Sequence, residues 1–427
     1  AFGLGLLAAP GAGSIAHAAP PAEPRVMTNI PEIGKQGGDL HMLVSRTRDT
    51  RLLYVYGNAR LVGYNLDLEL EPDILADFTV EEGRIFTFRL RAGHKWSDGA
   101  PFTTEDFRFY WEDIANNEAL SPVGPPINLI VDGQPPDVEV IDELTIRYSW
   151  PAPNPLFLGD LAAASPTFIY APAHYLKTFH EAYAEPDELA RLVTEDNARD
   201  WAQLFLRRER MSKFDNPDLP TLQPWRLLTP SPAERFIAER NEYFHRVDEN
   251  GVQLPYLDRV ILDVVDSKLI PIKTGAGDTD LQSRGLAFRD YTFLQESASR
   301  SGLQPHLWRQ ARAAHLALYP NLNAADATWR ELFRDRRFRE ALSISIDREA
   351  LSQYLFFGLA TPANNTLLPE SPLYSEEIAG ACLGHDIDRA NALLDELGLD
   401  QRDTSGTRLL ADGRPLELVV ETAGEDS

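Results

Sequence analysis

Basic residues are scarce in this chain. Its 41 Lys and Arg stand against 65 Asp and Glu, a formal net charge of −24 with the histidines neutral. Phosphate backbones and anionic bilayers attract basic surfaces, so nucleic acid and acidic membranes are poor partners. Cysteine is nearly absent. Cys382 is the single thiol in 427 residues, so no intramolecular disulfide can form, and it stands too far from the amino terminus to carry a lipid anchor. A lone cysteine of this kind reads as a small, inert hydrophobe. Motifs for chemistry are missing as well. No HExxH, GxSxG, CxxC or P-loop occurs, and the nine histidines are scattered without metal-ligand spacing. Carboxylate pairs such as Glu81-Glu82, Asp142-Glu143 and Glu376-Glu377 are direct neighbours. Adjacent residues diverge on helices and strands alike, so these pairs suit solvated charge better than acid–base catalysis. These features point to a binding protein, with no cofactor and no metal.

The hydrophobic share, 43%, is ordinary for a globular protein, and the length predicts two or three domains. Residues 1–18 hold an apolar run followed by Ala16-His17-Ala18, a small-x-small pattern that reads as the end of a secretory signal peptide. The run is too short to span a bilayer. Residues 19–36 are proline-rich and polar and read as a disordered leader.

One stretch organises the rest: FTFRLRAGHKWSDGAPFTTEDFRFYWEDIA, residues 86–115. Phe86, Phe88 and Leu90 alternate with polar residues, the period of a half-buried strand. Gly93 and Asp98-Gly99 supply turns, and Thr103 or Thr104 can cap a helix that carries Glu105 and Asp106 in its first turn. Phe107, Tyr110, Trp111 and Ile114 then form one apolar stripe. Trp96 and Trp111 are expected in the core.

Further along, residues 131–150 predict two paired strands turning at Asp142-Glu143. Residues 157–164 and 171–182 read as short helices, and 187–210 as a charged one. Five prolines between 214 and 232 mark a candidate crossing between lobes. A buried strand is expected at 260–265, helices over 338–358 and 388–398, and a last strand at 416–421.

The order of residues in 86–115 is similar to the signature of the family-5 extracellular solute-binding proteins, the receptors of peptide, nickel and oligosaccharide ABC importers. The likeness extends to GGDLHMLV at 37–44, to LLYVYGNARLVGYNLDLELEPDILADF at 52–78, to RNEYFHRVDENGVQLPYLDRV at 240–260 and to FREALSISIDREALSQYLFFG at 338–358. One departure stands out: the family's Gly-Thr-Gly-Pro turn is Thr221-Leu222-Gln223-Pro224 here.

The resemblance implies an α/β fold of two lobes, mixed sheets flanked by helices with a hinge. It implies a discontinuous lobe I at 37–75 and 215–280, a subdomain inserted at 76–214, and a lobe II at 281–427 that looks incomplete at its carboxyl end. The KTGAGDTDL segment, 273–281, takes the place of the family's hinge. Function is then solute capture in an interlobe cleft, by a periplasmic monomer that delivers its ligand to an ABC permease. An oligopeptide is the leading ligand. The spelling of residues 248–260 favours an oligosaccharide as alternative, and an extracytoplasmic hydrolase is the rival of another class. By family position Tyr56, Asn58, Asn321 and Asn323 face the ligand, and Glu425 or Asp426 stands near the place of an aspartate that holds a peptide's ammonium.

Overall fold

The computed structural model describes residues 19–28, 30–308 and 314–421. The chain divides into two compact units, the first ending at Gly285 and the second starting at Leu286. The expected signal peptide, residues 1–18, lies outside the described residues, as do Glu425 and Asp426.

The strands of the first unit are, in chain order, β1 (Arg25–Val26), β2 (Asp39–Val44), β3 (Val62–Tyr64), β4 (Leu70–Pro72), β5 (Leu75–Glu81), β6 (Ile85–Leu90), β7 (Asp137–Asp142), β8 (Thr145–Ser149), β9 (Trp225–Leu227), β10 (Arg235–Arg240), β11 (Arg246–Val247) and β12 (Arg259–Val264). They form two four-stranded sheets, β2-β12-β10-β9 and β5-β6-β8-β7, and two short ribbons, β1-β11 and β3-β4.

The first sheet is mixed. β2 runs parallel to β12, and the other neighbours are antiparallel. Its core face follows the two-residue period of a strand. Met42 pairs with Leu262, which pairs with Phe236, while Ala238 sits between Val260 and Leu227. These residues share one core with Val44, Leu53, Phe214 and Trp225. The second sheet is antiparallel, with Phe88 opposite Ile146 and Phe86 opposite Tyr148. Its core is larger and rich in rings, gathering Trp96, Phe102, Phe107, Phe109, Trp150, Phe157 and Phe205. The TLQP turn passes between the two cores: Leu222 belongs to the ring-rich one and Trp225 to the other.

The organising stretch folds as its pattern predicts. β6 leads through a tight turn into helix Thr104–Phe109. The Thr103 hydroxyl accepts from the Glu105 N–H, and the Asp106 carboxylate accepts from the Thr103 N–H at 3.0 Å. The helix then loosens to a π turn at Tyr110–Ala115. Trp96 is fully buried, with its indole N–H on Asp106, whereas Trp111 is half-buried against the core.

Three expectations are corrected. The leader at 19–36 is ordered where described: Arg25 and Val26 pair with Arg246 and Val247, and Pro21 is buried. Proline-rich composition argued for disorder, but the charge on Arg25 finds buried Asp73. The helix expected over 187–210 is two, Pro186–Glu195 and Trp201–Arg208, broken where Asn197 takes φ +50°. The strand expected at 416–421 has no ladder among the described residues, and Val419 stays 86% exposed.

The second unit is helical among the described residues, with Tyr291–Ser301, Ala327–Arg334, Arg336–Ile344, Arg348–Phe356 and Ile387–Glu396. Phe338 and Ala341, one turn apart, feed two small cores, the first with Leu399 and Leu410 and the second with Ala390 and Leu393. Asp347 caps its helix through the Ala350 N–H at 2.8 Å.

Candidate functional site

Parallel strands open toward ligands at their carboxyl ends. In the first sheet β2 and β12 are the parallel pair, finishing together at Val44 and Val264. The chain leaves β2 through the turn Thr47–Arg51 and helix Leu52–Gly57, and then reaches Asn58. Two of the sequence-predicted residues therefore come together: Tyr56 lies in the last turn of that helix, and Asn58 is its cap.

Asn58 is held from several sides. A Cβ on Gly57 would stand 2.4 Å from Pro224 Cγ, so glycine is what lets the helix end press against the TLQP turn. From that turn Gln223 grips the next residue twice: its Oε1 accepts from the Ala59 N–H at 2.8 Å and its Nε2 donates to the Ala59 carbonyl at 2.9 Å. The turn thus forms without the family's glycines, at ordinary backbone angles, and a side-chain amide secures it. The Asn58 carbonyl accepts from Arg246 at 3.1 Å, and its Nδ2 donates to the Ala164 carbonyl at a long 3.5 Å. The side chain is 6% exposed, and its Oδ1 is buried with no partner. A buried acceptor left unpaired costs about 1–3 kcal/mol, so it calls for a reason.

Below Asn58 lies a charged hub. The Asp73 carboxylate takes Arg246 in a fork (Nε 2.9 Å, Nη2 2.6 Å), Arg25 at 2.9 Å, His245 Nε2 at 2.9 Å and the Arg60 N–H at 3.0 Å. Arg91 donates twice to the Asp73 carbonyl. Burial works against the charge on Asp73, but Arg246 and its other partners outweigh it and hold the carboxyl well below the usual range. Burial drives His245 down to about 4, against the pull of Asp73, so at neutral pH the imidazole is uncharged and donates through Nε2. His94 packs on His245 with ring centroids 5.2 Å apart, and neither of its nitrogens has a partner. Burial, then the neighbouring His245 and Arg91, also keep His94 neutral.

Sequence reasoning missed Gln223, Asp73, His245 and Arg246. Asp73, His245 and Arg246 lie inside segments that carried the resemblance and Gln223 in the turn that departs from it, but none has a pattern that announces a buried network. The other predicted residues that are described, Asn321 and Asn323, lie in the second unit. Asn321 and Asn323 share one exposed turn, in which the Asn321 Oδ1 accepts from the Asn323 N–H at 3.0 Å and the Asn323 Oδ1 accepts from Arg334 at 3.1 Å. The arrangement around Asn58 holds its amide in a rigid frame, with the oxygen buried and unpaired. Beneath it Asp73, His245 and Arg246 are engaged with one another, and only the His94 ring stands without a hydrogen-bond partner in that hub.

Comparison with known proteins gives a consistent set. The family described as bacterial extracellular solute-binding proteins, family 5 (middle), matches residues 69–427. A periplasmic alpha-galactoside-binding protein of Rhizobium meliloti is 26% identical over 414 residues, covering 91% of this chain and 54% of the relative. A probable ABC transporter-binding protein of Deinococcus radiodurans is 26% identical over 86% of this chain and 59% of its own length. The chain thus spans little more than half the length of these relatives. Among solved structures, an oligopeptide-binding protein OppA shares 34% identity with a TM-score of 0.73, over 93% of this chain and 63% of that one. The periplasmic binding protein MelB of Agrobacterium fabrum, in complex with stachyose, matches in fold with a TM-score of 0.60 at 22% identity, over 93% of this chain and 61% of that one. Among the described residues no helix is long and apolar enough to cross a membrane.

Proposed function

Because the chain belongs to the bacterial extracellular solute-binding proteins of family 5, we propose that it is the periplasmic receptor of an ABC importer, which captures an oligopeptide and delivers it to a membrane permease without altering a covalent bond. The likeness to the oligopeptide-binding protein, 34% identical over 93% of this chain, carries that reading. A leader removed on export fits a periplasmic site, as do the periplasmic relatives. In this reading residues 76–214 are a subdomain inserted in a first lobe that returns at 215–280. Asn58 is then a ligand contact: its Oδ1, buried and unpaired in this structure, is uncovered on binding and accepts from an N–H of the solute. The alpha-galactoside-binding relative favours an oligosaccharide as second reading, for which the same oxygen would accept from a hydroxyl.

Thermal shift tests the reading. A ligand that binds only the folded state adds about 2.7 kcal/mol at a hundredfold excess over Kd. Tri- to penta-alanine are expected to raise Tm, and raffinose and stachyose are not. The opposite pattern would select the second reading. A rise with neither class, or turnover of an added compound, sinks the receptor. Asn58→Ala is expected to leave Tm without ligand unchanged or higher, since it removes an unpaired acceptor, and to abolish the shift.

A further inference from the structure

The turn that follows β2 carries three arginines that differ from the rest of the first unit. Arg46, Arg48 and Arg51 are exposed, and none of them has a hydrogen bond or ion pair among the described residues. Every other arginine of that unit has one, from Arg25 on Asp73, Arg60 on the Ala163 carbonyl and Arg84 on Glu82 to Arg259 on Asp39 and Arg284 on Asp49. In a chain with a net charge of −24, acids are plentiful and a cation readily finds one. Unpaired guanidinium groups gathered in one turn are out of keeping with that surface.

The turn itself is well fixed. Thr47–Arg51 is a 3-10 helix, in which residues three apart eclipse, so Arg48 and Arg51 project on the same side. Arg46 precedes it in extended backbone, at φ −146°. The residues between them are buried: Asp49 and Thr50 are each 1% exposed, and the Thr50 hydroxyl donates to the Thr47 carbonyl at 3.1 Å. Leu53 then enters the core of the first sheet. Asp49 is the single acid between Ser45 and Gly57, and it is buried, where Arg284 reaches it at 3.5 Å. The exposed guanidinium groups are thus left without a counter-charge by a rigid frame. The turn stands where β2 and β12 end, immediately before the helix that closes at Asn58.

We propose that Arg46, Arg48 and Arg51 form an anion-binding site of the first unit, and that it takes an acidic group of the solute, a carboxylate or a phosphate. A guanidinium pairs with either through two parallel, charge-assisted hydrogen bonds. The site reverses, over one turn, the acid character of a chain that otherwise repels anions. The inference deepens the receptor reading by naming the charge of the solute, and it rests on that reading for the solute. The affinity of the turn for an anion does not.

Calorimetry on the full chain tests it with two sets of probes. The first is pyrophosphate alone, which calls on no receptor function. The parent is expected to bind it, and Arg46→Gln, Arg48→Gln and Arg51→Gln combined are expected to weaken binding about tenfold or more. A control variant replaces Arg89, Arg235 and Arg259, exposed arginines that are paired, by glutamine. It makes the same change of net charge and is expected to weaken binding far less. No binding to the parent, or equal loss in the two variants, overturns the site. The second set is Ala-Glu-Ala against Ala-Gln-Ala, and trigalacturonate against neutral stachyose. In one pair the acidic member is expected to bind the parent about tenfold tighter than its neutral counterpart, a preference lost when the turn has no arginine. The pair that shows it tells peptide from sugar. Acidic members bound no tighter than neutral ones overturn the assignment to the solute and leave the receptor reading standing. Should no member of either pair bind, that assignment falls together with the receptor reading, and pyrophosphate alone decides the anion site.

Discussion

His94 sits where it does at a cost to the fold. Both ring nitrogens are buried without partners, and its neighbours are Phe102 and His245. Two consequences follow from its depressed pKa and that of His245. The unfolded chain protonates near pH 6.5 while the folded one does not, so below that pH the unfolded state binds more protons. The contribution of these imidazoles is therefore complete above pH 6.5 and is lost as pH falls toward about 4, the folded-state value for His245. The loss through Asp73, whose pKa is also held low, begins only below its unfolded value of 3.8. His94→Leu is expected to gain about 1 kcal/mol at neutral pH by removing unpaired polar atoms. It should also flatten the decline between pH 6.5 and 4, read from urea midpoints across that range. A variant that declines as steeply as the parent would show that His94 takes no part in the acid limb.

At the scale of elements, the segment after helix Leu52–Gly57 is held by another turn and not by itself. Gln223→Ala leaves the N–H and carbonyl of Ala59 buried and unpaired. A loss of about 2–4 kcal/mol is expected, seen as a lower urea midpoint at constant slope. Gln223→Glu keeps an acceptor for the Ala59 N–H but sets oxygen against oxygen at its carbonyl, so it should recover less than half. The sequence shows the elements well where a period or a cap declares them. β6, the Thr103-capped helix and the buried strand β12 are legible because alternation and capping are local. Asn58 was singled out only through the resemblance. Gln223 and Asp73 were not, because they act across 164 and 173 positions of chain, and spacing in sequence carries no trace of such pairs. The break at Asn197 was hidden by an unbroken charged pattern on either side. The strand pattern at 416–421 was read correctly as apolar, but a strand also needs a neighbour, and local sequence does not supply one.

For the whole molecule, the excess of acid is the dominant long-range force. A net charge of −24 repels itself in the folded state, and many ion pairs, such as Arg235–Asp263 and Arg259–Asp39, lie at the surface where each contributes little. Screening acts over about 8 Å at physiological ionic strength. Tm is therefore expected to rise as NaCl is raised from very low to physiological strength, by relief of repulsion. A fall over that range would mean that the ion pairs outweigh the net charge. The leader adds a consequence of another kind. Arg25 supplies one of the guanidinium groups that neutralise buried Asp73, and the short strand it starts lies only a few residues beyond Ala18. A truncation that removed residues through Val26, or a tag that replaced them, would strip a counter-charge from the interior. The amino-terminal boundary of the folded unit is thus set by electrostatics as much as by packing.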